Sequence, residues 1–188
     1  MPSRLTAIIR LASLAAVLLI AFIAAPAQAM KIRNLMAPPS ACPGQNNTSA
    51  PIWKQERAMR CMTNFARRHA GNGGFARSAK LSNSADRKGE DILRCDSFSH
   101  YACGRDFTFW LQRVNFIGGC WTAGENIAWG TGDLGSTRSV FRAWMHSSGH
   151  RQNILSGSFS QLGVSLRVGT LEGTRGAHVW VQHFGDHC

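Results

Sequence analysis

"AWMHSSGHRQNIL", Ala143 to Leu155, sets two histidines four residues apart at what reads as the end of a helix. Val140, Phe141 and Trp144 share one face of a helix over "STRSVFRAWMHS", the spacing of an element packed on a core. Ser148 and Gly149 are expected to break that helix between His146 and His150. An H-x-x-x-H pair on one unbroken helix could hold zinc, but the matching peptidase chemistry needs a glutamate beside the first histidine. Ser147 stands in that place, so the stretch reads as a junction at which a helix gives way to the C-terminal part of the chain.

That C-terminal part is strand. "GVSLRV" and "HVWVQHF" alternate with period two around the polar "GTLEGTRG", which predicts a closing β-hairpin. "GENIAWG", residues 124–130, is a glycine-bracketed strand with Ile127 and Trp129 on one side. Toward the N-terminus, Ala58, Met62, Phe65 and Ala66 recur at helical spacing up to Gly71, and Leu81, Ala85 and Ile92 repeat the pattern through "LSNSADRKGEDILRC". A short third helix fits "DFTFWLQRV", with Asp106 or Thr108 available to cap its free amides. Helices before and between a few antiparallel strands predict an α+β class, layered as a sandwich.

The chain of 188 residues opens with Arg4 and Arg10, followed by "LASLAAVLLIAFIAAPAQA" up to Ala29. That order of basic, apolar and small residues predicts a secretory signal over 1–29. Cleavage there leaves 159 residues, enough for one domain with a real core, read as a lead-in over 30–52 and a domain over 53–188. Losing Arg4 and Arg10 lowers the formal net charge from +11 to +9. The remaining cations are scattered along the sequence and form no nucleic-acid arm, so a solvated basic surface is expected, with attraction to anionic envelope polymers as the sharper reading. Six cysteines, Cys42, Cys61, Cys95, Cys103, Cys120 and Cys188, lie beyond the signal with no C-x-x-C among them. An even count behind a signal predicts three disulfides. Cys42 is expected to tie an extended lead-in to Cys61 on the first helix, with the other four paired among themselves.

"FSH" at Phe98 to His100, "GENIAWG", "WMHSSGHRQNIL", "QLGVSL" and "VWVQHFG" occur in one order. Together they resemble the CAP superfamily, which comprises the SCP or cysteine-rich secretory, antigen 5 and pathogenesis-related 1 proteins, in its bacterial form. The resemblance runs from about Trp53 to Gly185. It implies an α/β/α sandwich with a small antiparallel sheet and an open cavity. In members with a complete cavity, two histidines and two glutamates converge and can hold a divalent metal. The matched positions are His100, Glu125 and His150; the second glutamate falls on Ser147, and His146 has no family role. A three-ligand zinc site with water in the fourth position is one chemistry for His100, Glu125 and His150. The other is that these groups hydrogen-bond one another and organise the fold around a wet cavity.

These residues support two functions. The first is a secreted, monomeric, non-catalytic module that binds a ligand at the cell envelope, a lipid or an anionic envelope polymer, with no specific nucleic acid and no cofactor required beyond an optional zinc. The alternative is an extracellular hydrolase of peptide, nucleic acid or cell-wall substrate, using a metal or Glu125 as general base with His100 or His150 as acid. A serine mechanism would need Ser147 or Ser148 beside His150, and nothing in the sequence activates either hydroxyl. Trp144 and Trp180 are expected in the core, and Asn126 and Asn153 on backbone groups near the cavity. Along the last strand His178 shares a parity with Trp180, which places His183 on the other face.

Overall fold

Helix α2 (Ile52–His69) buries Ala58, Met59, Met62 and Ala66 along one side and stops where Gly71 takes a left-handed φ of 81°, a value that costs glycine nothing. Helix α3 (Ala79–Arg94) starts at Ser78, whose hydroxyl accepts the Leu81 N–H at 3.4 Å, and buries Leu81, Ala85 and Ile92. The short α4 (Thr108–Arg113) has its first amides held by Asp106, whose Oδ1 accepts from Thr108 N–H at 2.8 Å and Phe109 N–H at 3.1 Å. Helix α5 (Thr137–His146) is capped by the Ser136 hydroxyl and buries Val140, Phe141 and Trp144. The break after it falls at Ser147, whose φ of −88° and ψ of 126° are extended, not at Ser148 and Gly149 as expected. Those two residues open a further helix, α6 (Ser148–Leu155), and His150 lies within it.

These elements come from a computed structural model that describes residues 32–187. The expected signal over 1–29 and Cys188 lie outside the described residues.

Strands β1 (Ala76–Arg77), β2 (Trp121–Gly130), β3 (Gln161–Leu171) and β4 (Thr174–His187) form one sheet in the order β1-β3-β4-β2. The pairs β2–β4 and β3–β4 are antiparallel, and the two-residue β1 adds a parallel edge beside β3. The sequence pattern did not reveal β1, and it began β2 at Gly124 where the strand starts at Trp121.

Period two sorts the sheet's faces. Leu162, Val164 and Leu166 of β3 pack with Trp180 and Phe184 of β4 against α2, α5 and α6. Val179 and Val181 on the opposite face pack against Ala85 and Ile92 of α3. Trp144 and Trp180 fill the first layer, their indole N–H groups donating to the Ile127 and Gly135 carbonyls at 3.1 and 2.8 Å. Helix α3 lies so close to β3 that a Cβ on Gly163 would stand 2.1 Å from the Leu81 carbonyl carbon.

Residues 32–51, expected to be extended, hold helix α1 (Ile32–Leu35) and a run of turns. Leu35, Ala37 and Cys42 are buried in the larger core, and the Cys42–Cys61 disulfide ties this wall to α2. Cys95 pairs with Cys103, and Cys120 is also disulfide-bonded.

Candidate functional site

Glu125 stands midway along β2, opposite His183 of β4 in the antiparallel register. The pairing is also chemical. Glu125 Oε2 lies 2.8 Å from His183 Nε2, while its Oε1 lies 2.5 Å from His100 Nδ1. Behind His183, its Nδ1 meets the Ser84 hydroxyl of α3 at 2.6 Å. Ser84 and His183 have no exposed surface and Glu125 is 7 % exposed, but the His100 side chain is 49 % exposed. A polar chain therefore runs from the α3 face of the core, through one carboxylate, to a solvent-facing imidazole.

Lys88 of α3 completes the arrangement from below. It is 1 % exposed, and its ammonium donates to the His100 carbonyl at 2.5 Å. Burial pushes the Lys88 amine down, and the Glu125, Asp91 and Asp106 carboxylates oppose that shift. Burial would raise the Glu125 carboxyl, but the hydrogen bonds of His100 and His183 and the charges of His183 and Lys88 outweigh it and hold Glu125 at about 2. Glu125 is an anion at any neutral pH.

His150 sits on α6 beside Asn126 of β2. Its backbone carbonyl accepts from Asn126 Nδ2 at 3.1 Å. Burial first, and the charge of His100 second, hold its imidazole below the ordinary 6.5, which favours the neutral ring. Asn153 donates to the Glu125 carbonyl at 3.1 Å and to Asn126 Oδ1 at 2.9 Å, so both asparagines bind the groups near the cavity that they were expected to bind. Ser147 is a half-buried helix boundary without a side-chain cap bond, and His146 ends α5 exposed.

Sequence reasoning did not include Ser84, Lys88 or His183 in the site. The parity argument correctly moved His183 away from Trp180. What it lacked was the pairing of β2 with β4, which brings that other face onto Glu125. Ser84, His183 and Glu125 form the hydrogen-bond order of a hydrolase triad, yet the serine is sealed inside the protein and no substrate can reach it. The serines beside His150 are not the ones bonded to a histidine.

The model of the cysteine-rich secretory protein family, CAP, matches residues 55–184. The chain belongs to that family. It is 33 % identical over 150 residues to the uncharacterized protein YkwD of Bacillus subtilis, an alignment covering 79 % of this chain and 54 % of that protein; the chain thus spans about half the length of this curated relative. Among solved structures, an extracellular protein containing an SCP domain from Bacillus anthracis superposes with a TM-score of 0.54 at 24 % identity, over 72 % of this chain and 44 % of that one. An outer surface protein of Borrelia burgdorferi superposes with a TM-score of 0.59 at 15 % identity, over 72 % and 94 %. At such identities the likeness is one of fold.

CAP members with a complete cavity can hold a divalent metal, and the residues present here do not fit one. Both Glu125 oxygens are already taken by His100 and His183, and Ser147 replaces the second glutamate. Among the described residues no group of three or more His, Cys, Asp and Glu side chains is placed to hold a metal ion. Nor is any helix among them long and apolar enough to cross a membrane.

Proposed function

We propose that this CAP domain is a secreted, monomeric, non-catalytic module of the cell envelope that receives a lipid or an anionic envelope polymer, with His100 and His150 at the mouth of its cavity. The observation that carries the reading is the closure of the Ser84–His183–Glu125 chain: its serine is inaccessible and its carboxylate is spent on two imidazoles. Hydrogen bonding that saturates a buried polar group organises a fold, and here it engages both oxygens of the Glu125 carboxylate. The descriptions of structural neighbours as extracellular and outer-surface proteins support an envelope location.

One feature favours the second reading, an extracellular hydrolase. A carboxylate behind a half-exposed imidazole is how a general base is oriented, and Glu125 stands so behind His100. The mature, oxidised protein incubated with a peptide mixture, RNA and peptidoglycan, with products read by mass spectrometry, separates the two. No turnover above buffer is expected. Turnover that falls roughly a hundredfold in Glu125→Gln, the scale of lost acid–base catalysis, would replace the binding module with the enzyme.

A further inference from the structure

At the opposite edge of the sheet from Glu125, α2 presents Trp53, Lys54, Arg57, Arg60, Cys61, Asn64 and Arg68 along one side. Those positions repeat every three to four residues, so they form a stripe on one helix face. Two concavities share Arg57 and Cys61 on that stripe. The first, about 300 Å³, is lined by Arg57, Arg60, Arg68 and Arg77. The second, about 620 Å³, lies between α2 and the lead-in and contains Trp53 and Lys54. Asn64 bonds both backbone groups of Phe75, donating to its carbonyl at 3.1 Å and accepting its N–H at 2.7 Å. This clamp carries Arg77 on β1 to the arginines of α2, and the Cys42–Cys61 disulfide fixes the second wall.

The groove's arginines are in no salt bridge, and its one lysine, Lys54, lies 5.4 Å from the centroid of the Trp53 ring, over one of its faces. Every ion pair among the described residues lies elsewhere. Glu56, the acid whose charge acts on Arg60 and Arg77, uses Oε1 to accept the Leu166 N–H at 3.2 Å. Arg60 carries its charge against burial and against Arg77 and Arg57, with partial relief from Glu56. Four like charges gathered in a concave site, with only the Glu56 carboxylate acting against them, complement an anion. Four guanidinium forks suit phosphate oxygens, which they can grip bidentately. Trp53 is 58 % exposed beside them and offers one ring face for a sugar.

We propose that this groove binds a phosphodiester-bearing glycan of the cell envelope, with phosphate on Arg57, Arg60, Arg68 and Arg77 and a sugar ring on Trp53. The proposal shares the envelope location of the proposed function and is independent of the cavity at Glu125. Single-stranded nucleic acid is the poorer match, because its platforms stack successive bases on several aromatic rings and this groove exposes only Trp53, its other lining ring, Phe75, being buried. A bilayer surface is flatter than two joined hollows.

Binding of the purified, disulfide-bonded protein to an immobilised glycosylated glycerol-phosphate polymer tests this. Arg60→Ala with Arg77→Ala should weaken binding about tenfold or more, the scale of two lost phosphate contacts, while Arg142→Ala with Arg175→Ala, an equal loss of charge outside the groove, should change it less than about twofold. Arg60→Lys with Arg77→Lys keeps the charge and should still lose several-fold, because the fork is gone. Trp53→Ala should weaken binding to the glycosylated polymer and spare binding to the unglycosylated one. Equal losses in the two alanine pairs, or wild-type binding by the lysine pair, would reduce the groove to diffuse charge and overturn the proposal. Tighter binding to polygalacturonate, to an oligothymidylate or to phosphatidylglycerol vesicles would overturn the ligand class.

Discussion

At the residue scale the decisive group is Glu125, whose carboxylate is both buried and ionised. A carboxyl held at about 2 against an ordinary 4.5 contributes on the order of 3 kcal/mol to folding. Because its folded value is depressed, that contribution is present above pH 4.5 and drains away as pH falls toward 2. His150 acts in the same sense: its imidazole is held below 6.5, so the fold binds its proton less readily than the unfolded chain and loses stability as pH drops below 6.5. Glu125→Gln should lower urea stability at pH 7 by a few kcal/mol, on the order of the linkage figure, and should flatten the acid limb below pH 4.5; an unchanged limb would contradict the network. Of these residues, His100, Glu125 and His150 were legible in the sequence through motifs. His183 was not, since its role depends on which strand β4 pairs with. Two cations also changed standing. Arg67 and Lys88 read as surface charge, but Arg67 is buried against Phe75 with its fork on the Ile154 and Ser156 carbonyls, and Lys88 lies beneath His100.

At the element scale, the close seating of α3 on β3 sets the position of everything behind Glu125, since Ser84 and Lys88 both ride on α3. Gly163→Ala tests that seating. A methyl group 2.1 Å from the Leu81 backbone forces helix and sheet apart, and the variant should lose about 3 kcal/mol or more in urea melts. A loss below about 0.5 kcal/mol, the range of an ordinary surface change, would mean that α3 sits farther off. The long periodic elements, α2, α3, α5 and the β3–β4 hairpin, were readable because their apolar residues repeat over many positions. Strand β1 was not, because two residues carry no period, and it is held by the Ala76 and Ser78 N–H groups on the Ser160 and Leu162 carbonyls. The α5–α6 break moved by one residue because Ser147 takes the extended turn itself and frees Ser148 and Gly149 to begin a helix.

At the scale of the whole molecule, one sheet separates two different features: a His–Glu hydrogen-bond network at the β2 edge and an arginine-lined groove at the β1 edge. The charge that looked dispersed along the sequence is gathered by the fold, because arginines three, eight and eleven apart on α2 share a side and strand β1 brings Arg77 to them. On the proposed function, His100, Glu125 and His183 form a hydrogen-bonded network that retains no metal. Elemental analysis of the mature, oxidised protein after exposure to zinc and exhaustive dialysis tests it most directly. Zinc far below one equivalent is expected, unchanged by Glu125→Gln; one retained equivalent that disappears in both His100→Ala and Glu125→Gln would contradict the metal-free network.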